Sequence, residues 1–289
     1  MKVLVTGAAG QLGRALLAAA PAGVELIART RAELDVADAD SVAALVRALE
    51  PAAIVNTAAY TNVDRAEDEP AEAARVNTQG PRVLAAACRQ HGARLVHVST
   101  DFVFDGERGA PYATGDATRP LGVYGLSKLD GEREARAILG RGACVVRTSW
   151  LYGSGEANFV ARILQALRKG APLRVVVDQV GAPTWTGSLA PALWQALARE
   201  LDGVHHWCDS GVASRYDFAV AIAEEAVAAG ILQSVPSIEA IGAADYPMRA
   251  PRPAYSVLDK RATEAALGLR AEHWRVNLRR MLRESRSGS

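Results

Sequence analysis

The chain has 289 residues, 49% of them hydrophobic, with 33 basic and 32 acidic side chains and a formal net charge of +1. That length allows a well-buried core in one large or two modest units, and the near-neutral charge argues against a general nucleic-acid partner. No apolar stretch reaches membrane-spanning length, and the N-terminus lacks the basic, apolar and small-residue order of a signal peptide, so no membrane partner is expected. Cys88, Cys144 and Cys208 are odd in number and far apart, which fits neither a disulfide framework nor a metal cluster. A reduced, cytoplasmic setting is the expectation.

In chain order, short β-branched runs alternate with longer alanine-rich amphipathic stretches, the pattern of parallel strands joined by helices. Strands are predicted at Lys2–Thr6, Val24–Ala28, Ala53–Asn56, Arg94–Ser99, Cys144–Thr148, Leu173–Val177 and Val204–Cys208. Helices are predicted at Gln11–Ala20, Asp40–Leu49, Ala71–His91, Tyr124–Leu139, Asn158–Lys169, Ser188–Leu201 and Ser214–Ala229, the last opening on a Ser214-x-x-Asp217 capping signature. Such alternation predicts an α/β fold of Rossmann type, a doubly wound parallel sheet with right-handed crossovers. From about residue 151 the strands thin out and Pro and Gly interrupt more often. Residues 1–150 are therefore expected to form the sheet domain, and 151–289 mainly a smaller C-terminal substrate-binding lobe, with later segments returning to the sheet. Arg286–Ser289 reads as a frayed tail.

Gly7-x-x-Gly10-x-x-Gly13 follows the first strand and opens the first helix. In that context glycines bring backbone amides and a helix N-terminus against a pyrophosphate, which makes residues 1–150 the expected NAD(P)-binding domain. The second strand ends in Ala28-Arg29-Thr30-Arg31 rather than in a carboxylate, which suits a 2′-phosphate and favours NADPH, with NADH also open. Tyr124 and Lys128 form a Tyr-x-x-x-Lys pair that projects from one helix face, one turn apart. A cation there favours the phenolate of a tyrosine that otherwise titrates near pH ~10. Only four lysines occur among the 33 basic residues, so a lysine at this spacing is not simply background.

These features resemble the extended short-chain dehydrogenase/reductases, and within them the dTDP-4-dehydrorhamnose reductases. The likeness runs through Leu34-Asp35-Val36, Asn56-Thr57-Ala58-Ala59-Tyr60-Thr61-Asn62-Val63-Asp64 and Ser99-Thr100-Asp101-Phe102-Val103-Phe104-Asp105-Gly106. It continues through Arg147-Thr148-Ser149-Trp150, Asn158-Phe159, Asp178-Gln179-x-Gly181-x-Pro183-Thr184 and Arg252-Pro253-x-x-Ser256-x-Leu258-Asp259.

The resemblance implies reduction of the C4 ketone of dTDP-4-dehydro-β-L-rhamnose by NADPH or NADH. Thr100, Tyr124 and Lys128 would be catalytic: Thr100 binding the substrate carbonyl, Tyr124 protonating the developing alkoxide, and Lys128 lowering the tyrosine pKa and holding the nicotinamide ribose. Gly7, Gly10, Gln11 and Leu12 would lie along the pyrophosphate, Arg29 by the 2′-phosphate, and Asp35 and Val36 at the adenine. Ala58, Ala59, Tyr60 and Thr61 would border the centre of the cofactor, while Val63, Asp101 and Trp150 would meet the sugar nucleotide.

No metal site is expected. His205 and His206 are adjacent on a predicted strand and point to opposite faces, and the acidic run from Glu67 to Glu69 precedes a helix whose dipole it complements. Some members of the family are associated with a divalent cation at a dimer contact, but Arg14-Ala15-Leu16-Leu17-Ala18 contains no carboxylate for one. A monomer or weak homodimer is expected. Two other functions stay open: another nucleotide-sugar 4-ketoreductase, and a non-catalytic NADP-binding regulatory subunit resembling that of methionine adenosyltransferase. The Thr100, Tyr124 and Lys128 set argues against the regulatory subunit.

Overall fold

The computed structural model describes residues 1–155, 158–170, 172–235 and 237–287. Six parallel strands form the central sheet: β1 Lys2–Thr6, β2 Glu25–Arg29, β3 Ala53–Asn56, β4 Arg94–Thr100, β5 Ala143–Thr148 and β6 Gly203–His206. Their spatial order is β2-β1-β3-β4-β5-β6, so the chain reverses direction between β1 and β3. At such a reversal the connections diverge to opposite faces and leave a crevice beyond the carboxyl ends of the strands. Five strands come from the first 148 residues, and β6 returns from the second half beside β5 in parallel register. No described helix is long and apolar enough to cross a membrane.

Alternate residues of each strand enter different layers. Val3 and Val5 pack with Leu12 and Leu16 of helix α1 (Gln11–Ala18) and with Leu193 and Trp194 from Thr186–Ala198. Leu4 and Ile54 face the opposite layer, where Val42, Val46, Leu84 and Ala135 are brought up by helices α2 (Ala39–Leu49), α3 (Gly80–His91) and α4 (Val123–Leu139). A second lobe has its own core around Phe218, Ile222, Val160 and Leu278. It contains helices α5 (Phe159–Arg168), α6 (Arg215–Ala228) and α7 (Trp274–Ser287), with a two-stranded parallel ribbon of Leu173–Val176 and Ile238–Ile241. The predicted Ser214–Asp217 capping box is formed, each side chain bonding the other residue's backbone amide at 2.9 Å.

Three expectations are corrected. The predicted helix Ala71–His91 is broken into an α-turn at Pro70–Ala74, a π-turn at Arg75–Gln79 and helix α3. Pro81 has no N–H to donate to the Asn77 carbonyl four residues back, and the ladder widens there. Helix α7 was not predicted, although Trp274, Leu278, Met281 and Leu282 are buried at helical spacing; the arginines between them hid the stripe. Its backbone runs through Ser287 where a frayed tail was expected; residues 288 and 289 lie outside the described residues.

The freed Asn77 carbonyl abuts Gly131 of α4, where a Cβ would overlap its oxygen, and Gly125 makes the same close approach to the Phe102 carbonyl. These two contacts let the helix that bears Tyr124 and Lys128 press against the sheet edge. Gly131→Ala would gain ~1 kcal/mol of helix propensity but overpack against backbone at a cost of ~1–3 kcal/mol. Net destabilisation is the expected outcome, read as a lower denaturation midpoint in urea. An unchanged or raised midpoint would show that the helix does not need this approach.

Candidate active site

The carboxyl ends of β1, β3, β4 and β5 open into a cleft of about 970 Å³ between the two lobes. At the end of β1 the chain turns through Gly7, with φ +70, so that a Cβ there would stand 2.6 Å from the Ala58 nitrogen. A Cβ at Gly13 would overlap the Gly7 carbonyl. Gly10 begins helix α1, which has neither a side-chain cap nor an acidic residue in its first turn. The first turn of the helix lines the cleft, so the positive end of its dipole faces the cavity. The three glycines thus make a cradle that a larger residue would fill, and that cradle fits a dinucleotide pyrophosphate.

Gly7, Gly10, Gln11 and Leu12 all line the cleft, as do Asp35 and Val36, and then Ala58, Ala59, Tyr60 and Thr61. Asp35 accepts from the Arg75 guanidinium at 2.6 Å and from the Ala37 amide at 3.0 Å. The Tyr60 backbone is clamped by Asn77, which accepts from its N–H at 2.8 Å and donates to its carbonyl at 3.0 Å. Arg29 departs from expectation. Its guanidinium turns back onto the Ala28 carbonyl at 2.8 Å, and of the two arginines it is Arg31, paired with Glu72 at 3.1 Å, that reaches the cleft wall.

Thr100, at the end of β4, caps the short turn Asp101–Val103 by accepting from the Phe102 amide at 3.2 Å. It donates to Asp101 at 3.1 Å, and Ser256 from the second lobe donates to the same carboxylate at 2.5 Å. Burial raises Asp101 to about 6, opposed by those hydroxyls and by the charge of Arg215. Tyr124, on the facing helix α4, meets Phe102 edge-on with ring centres 5.7 Å apart. Burial pushes the Tyr124 phenol up to about 12, a hydrogen bond with Thr100 pulls it down, and the Asp101 charge raises it. Lys128 is buried and donates to the Val98 carbonyl at 2.7 Å. Burial lowers its ammonium to about 8, partly offset by Glu132. In this arrangement burial dominates the phenol, and the Lys128 ammonium donates to the backbone of β4.

Val63 and Trp150 border the cleft's outer half. Trp150 takes φ +46, a region sparsely used by bulky side chains. Its ring lies on Gly181, where a Cβ would come within 2.6 Å, and the Arg215 guanidinium stacks 3.5 Å from the ring centre.

This geometry accords with what the chain resembles across its length. The family profile for the RmlD substrate binding domain matches residues 1–287. The dTDP-4-dehydrorhamnose reductase of Aggregatibacter actinomycetemcomitans is 40% identical over 286 residues, covering 96% of this chain and 97% of that protein. The chain belongs to the dTDP-4-dehydrorhamnose reductase family. The spore coat polysaccharide biosynthesis protein SpsK of Bacillus subtilis is 42% identical over 287 residues, covering 99% of this chain and 98% of that one. Among solved structures, the Bacillus anthracis dTDP-4-dehydrorhamnose reductase in complex with NADP superposes with a TM-score of 0.92 at 30% identity, covering 98% and 99% of the two chains.

Several polar groups of this reductase-family cleft were given no role by sequence reasoning. Arg252 forms a bidentate pair with Asp64 at 3.0 and 2.8 Å, joining the two lobes across its rim. Asn158 caps α5 and donates to Gln11 at 3.0 Å, linking the second lobe to the glycine turn. Arg252, Asp64 and Asn158 stood within quoted motifs, so their presence was visible and their partners were not. Arg215 carried no signal beyond its place after a helix cap.

Gly13→Ala should displace the first turn of α1 from the cradle and weaken NADPH binding by roughly 10–100-fold, the equivalent of ~1–3 kcal/mol of overpacking. Titration of NADPH into the variant, followed by calorimetry, measures this. An unchanged Kd would remove the glycine turn from the cofactor site.

Proposed function

We propose that this chain reduces the C4 ketone of dTDP-4-dehydro-β-L-rhamnose with NAD(P)H, giving dTDP-L-rhamnose, the last step of dTDP-rhamnose biosynthesis. One observation carries the reading: Thr100, Tyr124 and Lys128 converge in the cleft of a chain about 40% identical to dTDP-4-dehydrorhamnose reductases over nearly its whole length. A regulatory nucleotide-binding subunit would not need those three side chains together. NADPH is the favoured cofactor, with Arg31 in place of Arg29 as the cation at the ribose end. The three buried cysteine thiols fit a reducing cytoplasm, and the absence of carboxylates from Arg14 to Ala18 supports a monomer or weak homodimer.

When bound, the reduced nicotinamide supplies a hydride. The residues of this chain handle the proton and the charge. Reduction makes an alkoxide at C4, so the acid beside it must hold its proton at neutral pH. A phenol raised to about 12 does so, and it remains a far stronger acid than the alcohol formed when it protonates the alkoxide. Thr100 holds its hydroxyl beside the same oxygen and would turn its one hydrogen there from Asp101, and Lys128 carries a positive charge next to the reacting centre while its ammonium is protonated. Trp150 and Val63 confine the sugar, and Asp101 with its Ser256 bond fixes the cleft floor.

Tyr124→Phe removes the acid and leaves the ring, so turnover with dTDP-4-dehydro-β-L-rhamnose should fall by ~10²–10⁴-fold while the NADPH Kd stays within about twofold. Near-normal turnover would take Tyr124 out of the mechanism. The pH profile of kcat/KM should be bell-shaped. Asp101 gains a proton as pH falls through about 6 and loses its attraction to Arg215, loosening the cleft floor, and Lys128 loses its charge as pH rises through about 8. A profile flat through both values would contradict these roles.

A further inference from the structure

Behind Lys128 runs a buried chain of polar groups that the reaction as described does not use. Thr6, Asn56, His97 and Lys128 are each no more than 2% exposed. Asn56 Oδ1 accepts from the Thr6 hydroxyl at 2.7 Å and from the Ala58 amide at 3.1 Å. A backbone N–H can only donate, so the Asn56 amide cannot be turned over, and its NH₂ must face His97 Nδ1, 3.0 Å away. Nδ1 is therefore an acceptor. A neutral imidazole with an unprotonated Nδ1 carries its hydrogen on Nε2, and Nε2 faces Lys128 Nζ at 3.5 Å. His97 stays neutral because burial and the lysine charge push its pKa well down.

Two donors then confront each other whenever Lys128 is an ammonium, and 3.5 Å is the spacing of groups held apart rather than of a formed bond. If Lys128 gives up a proton, the conflict ends. The amine keeps a hydrogen for the Val98 carbonyl and offers its lone pair to the His97 Nε2–H. The other titratable or charged groups around it are Glu132 and Tyr124 on its own helix, and Arg147 on β5. Arg147 is committed to Glu132 at 2.7 Å, and Glu132 also accepts from Ser99.

We infer that His97 is a positioning residue that presents an N–H to the Lys128 amino group and so opposes its taking up a further proton. Asn56, locked by Ala58 and Thr6, fixes the tautomer that does this. The upper pH limit of activity then depends, beyond burial, on Asn56 and His97, two residues that touch neither substrate nor cofactor in the proposed reaction. Its meaning for catalysis rests on the reductase reading, but its test requires no turnover.

Lysine-selective 13Cε labelling gives only four signals, from Lys2, Lys128, Lys169 and Lys260, and Lys128→Met assigns the one of interest. In the full-length wild-type protein its midpoint should fall near 8. Asn56→Asp is isosteric and still accepts from Thr6 and Ala58, but it also accepts from His97, which moves the hydrogen to Nδ1 and turns a lone pair toward Lys128. The midpoint should then rise by at least about one pH unit. On a His97→Phe background the same Asn56→Asp change should raise the midpoint by clearly less, because the relay is gone and only the added charge remains. A wild-type midpoint in the ordinary lysine range, no rise in Asn56→Asp, or a rise equally large on the His97→Phe background would each overturn the proposal. Should Asn56→Asp not fold, 15N shifts of the wild-type imidazoles, assigned through backbone connectivities, decide it: His97 bearing its proton on Nε2 supports the proposal, and on Nδ1 refutes it.

Discussion

The burial of one amino group, that of Lys128, is the constraint on which the rest of the site depends. An ammonium taken out of water loses several kcal/mol of hydration unless partners replace it, and here the replacements are the Val98 carbonyl and the field of Glu132. Glu132 can serve because Arg147 and Ser99 hold it, in a buried pair whose disruption would cost ~3–5 kcal/mol. Helix α4 in turn can bring Lys128 and Tyr124 so deep only because Gly125 and Gly131 let backbone approach backbone. Packing, charge and the acid on the cleft wall are parts of one arrangement.

The same burial that lowers the lysine raises the tyrosine. For a reductase this direction is useful, since the forward reaction consumes a proton at the new hydroxyl and the donor must hold one beforehand. The opposite direction, oxidation of an alcohol, would call for a phenolate, and a phenol near 12 is poorly prepared for that at neutral pH.

Features set by short-range spacing were legible in the sequence. The glycine turn needs three positions within seven residues, Tyr124 and Lys128 need one helical turn, and the strands of the central sheet announce themselves by β-branched runs. What could not be read were partners brought together by the fold. Arg252 and Asp64 are 188 residues apart, and neither carries a local mark of the other. Arg29 and Arg31 sit two positions apart, and which of them lines the cleft is not written in their spacing. The burial that raises the Tyr124 phenol could not be read for a related reason: spacing along a helix shows that a cation is near, but not how much water the fold removes. The π-turn lay closer to legibility, since Gly80-Pro81 inside a predicted helix is a signal in itself.

The central claim is a ketoreduction at C4 of an L-configured sugar nucleotide. The most direct test follows NADPH oxidation with dTDP-4-keto-6-deoxyglucose, with and without a purified 3,5-epimerase, and identifies the product. Oxidation that requires the epimerase and yields dTDP-L-rhamnose is the predicted result. Oxidation without the epimerase to a D-configured sugar, or no oxidation despite NADPH binding, would contradict it.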